Sequence, residues 1–222
     1  MKVLVTGATG KVGNALTRAL HARGDDVVVL ARTPDAARKV LPDGVKIVQG
    51  DVTDPPSVAK AVEGCELVFN AMGIPETWVR DESVFERVNA RGAETVVEAA
   101  RDANVRRLVQ TSTIDVFEAD ADGRLTESQL DPNPKHTAYE RSKQLAERLA
   151  LAARGDMELV FVNPAAVYGP GPGSISLDEQ LFRPVARGRL PLLTPGGMGV
   201  VHEDGVARGQ LLAAEHGRDG ER

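Results

Sequence analysis

The chain has 222 residues, of which 42% are hydrophobic and 27% charged, and this is enough for one sizeable globular core. A formal net charge of −5 excludes the global basic field that favours nucleic-acid binding, and no apolar run reaches membrane-spanning length. The single cysteine, Cys65, excludes an internal disulfide and suits a reducing compartment. Since the N-terminus lacks a signal-peptide pattern, we expect a cytoplasmic protein with neither nucleic acid nor membrane as a partner.

Residues 2–13 predict a short buried strand, then a glycine-rich turn, then the start of a helix. Gly7 can take backbone angles closed to other residues, Gly10 leaves room for a bulky anion, and Gly13 lets the helix lie close to its strand. The helix N-terminus offers free N–H groups and a partial positive charge, which together suit the diphosphate of a dinucleotide. A tight strand–helix turn without a ligand is the alternative interpretation of this glycine spacing.

Strands and helices alternate over most of the chain. The further predicted strands cover residues 26–31, 45–49, 67–71, 107–111 and 158–162, and the predicted helices cover 34–41, 55–62, 82–103 and 138–153. Continuous apolar runs such as 26–31 are typical of strands that are buried on both faces. The alternation predicts an α/β fold with a doubly wound parallel sheet (a Rossmann fold), whose functional groups lie at the carboxyl ends of the strands.

The pattern changes after Asn163, where prolines and glycines become frequent. Helices are still predicted near residues 178–187 and 203–215, and the tail 216–222 is predicted to lack a packing element. We expect a dinucleotide-binding domain over residues 1–163. Residues 164–222 would form a small, apparently truncated substrate-binding portion that is interleaved with the core.

Two segments carry side chains that suit catalysis. Tyr139 and Lys143 lie four residues apart at the start of a predicted helix, so both lie on one face. A neighbouring ammonium favours the phenolate, which would bring the pKa of Tyr139 from about 10 towards neutrality. Hydroxyl side chains in 111–117 follow a predicted buried strand. The alternatives are a surface Tyr–Lys pair and hydroxyls that bind free backbone groups at the strand end.

Eight segments resemble, in family order, the motifs of the extended short-chain dehydrogenases/reductases, the NAD(P)-dependent epimerases, dehydratases and reductases. They are residues 6–13, 50–54, 70–73, 88–92, 111–117, 139–143, 163–171 and 201–207. The chain is most similar to the dihydroflavonol-reductase-like branch, because Asn163 stands where sugar-nucleotide epimerases commonly carry an arginine. Ile114 stands where sugar-nucleotide dehydratases carry an acid, which argues against dehydration.

The resemblance implies a role for each site residue. Tyr139 would be the general acid/base, Lys143 would lower its pKa and hold the nicotinamide ribose, and Thr113 would hydrogen-bond the reacting oxygen. Asn89 would help to orient the lysine side. No metal is expected. The implied cofactor-binding residues are Gly7, Thr9, Gly10, Lys11, Val12, Arg32, Lys39, Asp51, Val52, Ala71, Met72, Gly73, Thr111, Tyr139, Lys143, Pro164 and Val167.

The end of the second predicted strand bears on the choice of cofactor. An NAD enzyme usually has an acidic residue there for the ribose 2′-OH, whereas this chain has Arg32, and Asp35 comes too late. An arginine suits a 2′-phosphate through bidentate contacts, and Lys39 resembles a second basic position of the reductase-like branch. We predict a preference for NADP(H), with NAD(H) as the alternative cofactor. A solvated strand-end charge is the other interpretation of Arg32.

We therefore predict an NAD(P)-dependent oxidoreductase or epimerase that transfers hydride at a carbonyl/hydroxyl carbon of a small molecule. A nucleotide-sugar 4-epimerase is one alternative, and a non-catalytic NAD(P)-binding sensor or scaffold is another. The helices over 82–103 and 138–153 could form the four-helix interface of a homodimer, as the resemblance implies.

Overall fold

The structure is a computed structural model that describes residues 1–173, 177–189 and 197–222. Its strands are β1 Lys2–Thr6, β2 Asp26–Ala31, β3 Lys46–Gln49, β4 Leu67–Asn70, β5 Arg107–Thr111, β6 Phe117–Ala119, β7 Leu125–Leu130, β8 Glu158–Val162, β9 Ala166–Tyr168 and β10 Val200–His202. Six of them form one parallel sheet in the order β3-β2-β1-β4-β5-β8. The strand order reverses beside β1, which is the arrangement of a doubly wound sheet.

The α-helices are α1 Lys11–Ala22, α2 Pro34–Arg38, α3 Pro55–Val62, α4 Ser83–Phe85, α5 Gly92–Asp102, α6 Ala138–Ala153, α7 Arg183–Ala186 and α8 Glu203–His216. A π-helical segment, Glu86–Arg91, joins α4 to α5, so the three pieces form the single long helix predicted over 82–103. A second π segment, Asp178–Phe182, precedes α7, and a 3₁₀ turn covers Ile114–Val116.

Helices cover both faces of the sheet, which explains why its strands are continuous apolar runs. On one face, Val58 of α3, Val96 of α5 and Ala150 of α6 pack against the strands. On the other face, Leu16 of α1 and Ala207 of α8 pack against them. The predicted α/β doubly wound fold is confirmed, and β2, β5, β8 and α6 have the predicted bounds.

Two small sheets lie outside the predicted pattern. The antiparallel pair β6–β7 follows the 3₁₀ turn, and β9 pairs in parallel with β10. All six residues of β7 are exposed, so no apolar face marks it as a strand in the sequence. The pairing between β9 and β10 joins segments that are far apart in the chain, which periodicity does not reveal.

The prediction that residues 216–222 lack a packing element is wrong. The Gly220 N–H donates to the carbonyl of Leu159 at 2.7 Å, and the Phe161 N–H donates to the carbonyl of Glu221 at 2.9 Å. The Arg222 guanidinium lies 5.0 Å from the centre of the Phe161 ring. The tail packs here because β8 ends the sheet and its free backbone groups need partners, a requirement that the tail's own sequence does not show.

Candidate active site

The candidate site lies at the carboxyl edge of the sheet, where the segments that follow β1, β4, β5 and β8 meet. Gly7 follows β1, Ala71 follows β4, Ser112 follows β5 and Asn163 follows β8. In open α/β sheets, ligands bind in the crevice at this edge, where the strand order reverses. The topology therefore brings the segments that carry most of the predicted site residues to one edge of the sheet.

The glycine turn after β1 owes its shape to the absence of side chains. Gly7 has a φ of 71°, and a Cβ there would lie 2.5 Å from the carbonyl oxygen of Ala71. A Cβ on Gly13 would collide with the carbonyl oxygen of Gly7. Among the described residues, a Cβ on Gly10 would meet only that same oxygen, at 3.3 Å. Gly7 and Gly13 are thus required by the protein's own packing, whereas Gly10 borders open space.

The N-terminus of α1 fits an anionic group. No side chain of the described residues caps this helix, and its first turn has no acidic residue. The unpaired N–H groups and the helix dipole both favour negative charge at this point. The residues present therefore fit the diphosphate of a dinucleotide, with Thr9 exposed and Val12 half-buried beside the turn.

The side chain of Lys11 is held by the C-terminal part of the chain. Its Nζ donates to the carbonyls of Gly169 at 2.5 Å and Gly171 at 2.9 Å, and it lies 3.7 Å from the buried carboxylate of Glu203. Glu203 also pairs with Arg18 at 3.2 Å and accepts the Gly171 N–H. Since its ammonium is engaged in this way, Lys11 offers the crevice chiefly its backbone N–H at the start of α1.

The predicted adenine side of the crevice is assembled around Gly92, at the start of α5. A Cβ on Gly92 would lie 2.8 Å from Val52 Cγ2 and 3.2 Å from Met72 Cε, so the structure brings Val52 and Met72 together. Asp51 Oδ1 accepts from the N–H and the hydroxyl of Thr53, at 2.9 and 2.8 Å. These two bonds fix the orientation of the Asp51 carboxylate.

Arg32 and Lys39, the predicted recognition residues for a 2′-phosphate, are both exposed. Arg32 follows directly on β2, and Lys39 follows on α2. Among the residues that the structure describes, the Arg32 guanidinium makes no hydrogen bond or ion pair. Its five N–H donors therefore have no competing partner within the described chain.

The first turn of α6 positions Tyr139 and Lys143. A capping box between Thr137 and Glu140 begins the helix, and each side chain binds the backbone N–H of the other residue. Phe85 contacts the Tyr139 ring edge-on, with the ring centres 6.1 Å apart. The buried Lys143 Nζ donates to the carbonyl of Thr111 at 3.0 Å.

Thr113 lies just beyond the end of β5. Its Oγ1 donates to Asp115 Oδ2 at 2.6 Å and accepts the Asp115 N–H at 3.3 Å. The end of β5 and the first turn of α6 therefore come together through the contact of Lys143 with Thr111, and Tyr139 lies one helical turn before Lys143. The juxtaposition of the Tyr139 phenol with the Lys143 ammonium and the Thr113 hydroxyl stays a prediction.

The expected direction of the tyrosine titration is wrong. Burial first, and then the carboxylate of Asp115, raise the pKa of Tyr139 to about 12, although the Thr113 hydroxyl acts the other way. Burial also lowers the pKa of Lys143 to about 8, against the opposing effects of Glu147 and Asp115. The expectation counted the ammonium but not the burial of both groups or the nearby carboxylate.

Asn89 lies in the π-helical segment and connects two parts of the site. Its Oδ1 accepts the Ile74 N–H at 2.7 Å, and its Nδ2 donates to the Ile74 carbonyl at 3.1 Å and to Ser142 Oγ at 3.2 Å. Ser142 in turn donates to the Tyr139 carbonyl at 2.6 Å. Asn89 thus holds the loop after β4 against α6. A Cβ on Gly73, in that loop, would lie 3.8 Å from Lys143 Nζ.

The remaining predicted residues lie on the β8 side. The carbonyl of Pro164 accepts the Ile114 N–H at 3.2 Å, and Val167 lies in β9 opposite Val201. Behind Thr111, the buried Gln210 side chain donates to its hydroxyl at 2.8 Å. These contacts fix the carboxyl ends of β5 and β8 relative to each other.

Sequence reasoning missed several polar residues that support the site. Glu147 continues the face of Tyr139 and Lys143 by one more helical turn, which is the one signal that could have identified it. Its buried carboxylate accepts from Asn163 at 2.9 Å and pairs with Arg222 at 2.7 Å. Asp115 lies within the recognised hydroxyl motif, but no spacing rule marks its contact with Thr113.

Residues 3–222 match the sequence pattern of the NAD-dependent epimerase/dehydratase family. This chain belongs to that family. Within it, a 4-hydroxy-2-methyl-3-oxo-4-farnesyl-3,4-dihydroquinoline-1-oxide ketoreductase of Stigmatella aurantiaca is 34% identical over 232 residues, covering 100% of this chain and 66% of the relative. A putative dihydroflavonol 4-reductase of Synechocystis sp. is 30% identical over 217 residues, covering 96% of this chain and 63% of the relative. The predicted family and its reductase-like branch are confirmed.

A solved structure shows the same fold. The dTDP-glucose 4,6-dehydratase DesIV of Streptomyces venezuelae, solved with NAD bound, superposes with a TM-score of 0.82 at 28% identity, covering 99% of this chain and 74% of that one. The chain spans about two thirds of the length of the curated relatives described above. No helix among the described residues has the length and apolar character needed to cross a membrane.

Proposed function

We propose that this chain carries the cofactor site and the catalytic residues of an NADP(H)-dependent reductase that acts on a small-molecule ketone or aldehyde. The observation that supports the proposal is that Lys143 contacts Thr111 at the end of β5, with Tyr139 one turn earlier on α6 and Thr113 two residues after Thr111, at the same edge of the sheet as the glycine turn. The cofactor, when bound, supplies the hydride. The protein then has to hold the carbonyl carbon in reach and give its oxygen a proton.

Tyr139 is suited to give that proton. Since its pKa is raised to about 12, the phenol keeps its proton at neutral pH and can donate to a carbonyl oxygen. Lys143, whose pKa is lowered to about 8, is the nearby group that can take part in replacing the proton afterwards. A protonated Tyr139 suits reduction of a carbonyl. The reverse oxidation would begin by removing a proton from an alcohol, which a protonated phenol cannot do.

A substrate panel tests the reaction. We expect NADPH oxidation with at least one ketone or aldehyde, and Tyr139→Phe should lower that rate at least about 100-fold. Cofactor affinity, measured by calorimetry, should stay the same in the variant because the ring and its contact with Phe85 are retained. Turnover that persists in Tyr139→Phe would contradict the proposal.

The same panel separates the alternatives. A nucleotide-sugar 4-epimerase would interconvert two sugars with no net change in NADPH, and the sugar nucleotides in the panel report this directly. The asparagine at position 163 favours the reductase, as in the branch that the chain resembles. Cofactor binding without turnover of any compound would favour a sensor or scaffold.

The preference for NADP(H) rests on Arg32. Its exposed guanidinium follows directly on β2 and has no partner among the described residues, so it can bind a 2′-phosphate in a bidentate manner. We expect Arg32→Ala to weaken NADPH binding about tenfold and to leave NADH binding nearly unchanged. Lys39→Ala should have a smaller effect in the same direction. Equal losses for both cofactors in Arg32→Ala would count against the assignment.

We further propose that the long helix of α4 and α5, together with α6, forms a four-helix interface with a second copy. Support comes from the family resemblance alone, because Ala90, Ala93 and Ala146 are buried between the long helix and α6 of the same chain. Sedimentation would report the dimer. The cytoplasmic location expected from the single cysteine stays a prediction.

A further inference from the structure

We propose that Arg222 is a positioning residue: by neutralising the buried carboxylate of Glu147, it keeps that carboxylate from drawing the Lys143 ammonium away from the crevice. This inference rests on the proposed function, in which Lys143 holds the nicotinamide ribose. Arg222 is assigned no contact with cofactor or substrate and acts only through Glu147.

The Glu147 carboxylate is buried and bonded on both oxygens. Its side chain is 4% exposed, and its Oε1 accepts Asn163 Nδ2 at 2.9 Å. Two N–H groups of Arg222, on Nε and Nη2, donate to Oε2 at 2.9 and 2.7 Å. The Arg222 side chain is 11% exposed, and its guanidinium lies over the Phe161 ring. Because solvent screens such an enclosed pair only weakly, removing one partner leaves the other charge unpaired.

Lys143 is a second cation on which this carboxylate acts. It lies four residues before Glu147 on α6, so the two side chains share one face of the helix. Burial lowers the pKa of Lys143, and of the two carboxylates that oppose this shift, Glu147 acts more strongly than Asp115. The Lys143 Nζ nevertheless donates to the carbonyl of Thr111, at 3.0 Å. Among the described residues, the ion-pair partner of Glu147 is Arg222.

The lysine side chain is flexible enough to reach either partner. Its ammonium is carried on a four-carbon stem, so it can bind the Thr111 carbonyl or a carboxylate one helical turn away. An unpaired buried carboxylate is the stronger acceptor because it is charged. While Arg222 neutralises Glu147, that advantage is lost and the ammonium stays at the end of β5. Without Arg222, we expect an ion pair along α6 that withdraws Lys143 from the cofactor.

Asn163 extends the effect to the segment that carries Thr113. Its Nδ2 donates to Glu147 Oε1 at 2.9 Å and to the carbonyl of Thr113 at 3.0 Å. Both amide hydrogens are thereby used, and the buried Oδ1 has no hydrogen-bond partner among the described residues. Since an unsatisfied buried acceptor is unfavourable, the two acceptors must hold the amide in this orientation, the charged one more strongly. A Glu147 side chain that turned towards Lys143 would release this contact as well.

Replacing the arginine with a neutral polar side chain tests the inference. We expect Arg222→Gln to weaken NADPH and NADH binding by the same factor, roughly tenfold in calorimetry, because Lys143 and not the 2′-phosphate site is affected. Adding Glu147→Gln should restore both affinities to within about twofold of the parent protein, because no carboxylate is left to attract the ammonium. A loss of binding that Glu147→Gln does not repair would overturn the inference.

The reactivity of Lys143 reports its partner directly. Competitive acetylation over a pH series, followed by mass spectrometry of the labelled peptide, measures the apparent pKa of this amine. That pKa should rise by about one unit in Arg222→Gln, where the ammonium pairs with Glu147, and return to the parent value or below in the double variant. Asp115, the other carboxylate that acts on the amine, is unchanged in all three proteins. An unchanged pKa in Arg222→Gln would refute the proposed exchange of partners.

Arg154→Gln is the matched control, since it removes a different ion pair between the tail and the rest of the fold. Arg154 pairs with Asp219, and no bond joins it to Glu147 within the described chain. Its replacement loosens the tail but leaves Glu147 neutralised, so cofactor binding and Lys143 reactivity should keep their parent values. Equal effects of Arg154→Gln and Arg222→Gln would show that only the attachment of the tail matters, and the inference would fail.

Two proteins that lack the carboxylate keep the test decisive if Arg222→Gln folds poorly. Glu147→Gln, alone or combined with Arg222→Gln, leaves no unpaired buried carboxylate, and both proteins should bind the cofactors as the parent does. Weaker binding in Glu147→Gln would mean that the carboxylate itself holds the site. Weaker binding only in the double variant would mean that Arg222 acts by packing on Phe161, and either result overturns the inference. If binding behaves as expected but no compound is turned over, the proposed function fails while the role of Arg222 stands.

Discussion

The turn after β1 and the group around Tyr139 serve one crevice but are built in opposite ways. The turn can adopt its shape only because two of its residues lack side chains. A Cβ at Gly7 would collide with the Ala71 carbonyl, and a Cβ at Gly13 would collide with the Gly7 carbonyl. The catalytic group depends on two side chains, Tyr139 and Lys143, whose pKa values are shifted by burial. We infer that the turn tolerates changes of charge but not of volume, and that the catalytic group tolerates changes of volume better than of charge.

Adding one methyl group to the turn should have the largest effect on stability. In Gly13→Ala the new Cβ meets backbone atoms of Gly7 and Ala8, which no side-chain rotation can relieve. We expect a loss of about 3 kcal/mol in the free energy of unfolding, measured in urea. Gly209→Ala is the control: it lies in α8, no atom of the described chain would lie within 4 Å of its Cβ, and it should gain about 0.5–1 kcal/mol. Equal effects of the two substitutions would contradict the conclusion that the turn does not tolerate a change of volume.

Removing the buried charge of Lys143 should change the free energy of unfolding by an intermediate amount, and it should stabilise the protein. The pKa of Lys143 falls from 10.5 to about 8, so keeping this ammonium protonated in the folded protein costs about 3 kcal/mol. The lost hydrogen bond to Thr111 offsets part of this cost. We therefore expect Lys143→Met to abolish turnover and yet to gain about 1–2 kcal/mol of stability at pH 7.

That gain should depend on pH in a defined direction. Below about pH 8 the lysine is protonated in both the folded and unfolded chains, and the full cost is present. Between about pH 8 and 10.5 the folded chain releases its proton first, so the parent protein becomes more stable relative to Lys143→Met as pH rises. The gain should therefore disappear across this window in urea titrations. A gain that is constant with pH would show that packing, and not charge, is responsible.

The smallest expected effect on stability is at Gly10, the glycine that borders open space. Its φ of −94° and ψ of 170° suit any residue, and within the part of the chain that the structure describes its Cβ would meet only the Gly7 carbonyl oxygen, at 3.3 Å. Gly10→Ala should change stability by less than about 1 kcal/mol but weaken cofactor binding about tenfold, because the methyl group occupies space for the diphosphate. Calorimetry with NADPH and NADH measures this. Undiminished binding would mean that the diphosphate lies elsewhere.

The parts of the fold that could be read from the sequence are those set by local pattern. The apolar run of β2 and the capping residues of α6 determine their own elements, and β5 and β8 follow the same rule. The positions of Tyr139 and Lys143 follow from helical spacing. Their pKa values do not, because burial and the approach of Asp115 depend on how the end of β5 meets α6. The packing of the tail escapes prediction for the same reason, since its partner is an exposed strand edge distant in sequence.

The ion cluster of Lys11, Arg18 and Glu203 has a consequence for how the chain could be shortened. It ties the beginning of α1 to the beginning of α8, and Ala207 and Ala214 pack along the same face of the sheet as Leu16. A fragment that stops at residue 163 would leave two cations beside an exposed apolar strip, and such strips promote aggregation. We expect the smallest piece that stays in solution to include α8, even though the crevice itself is framed almost entirely by residues that precede it.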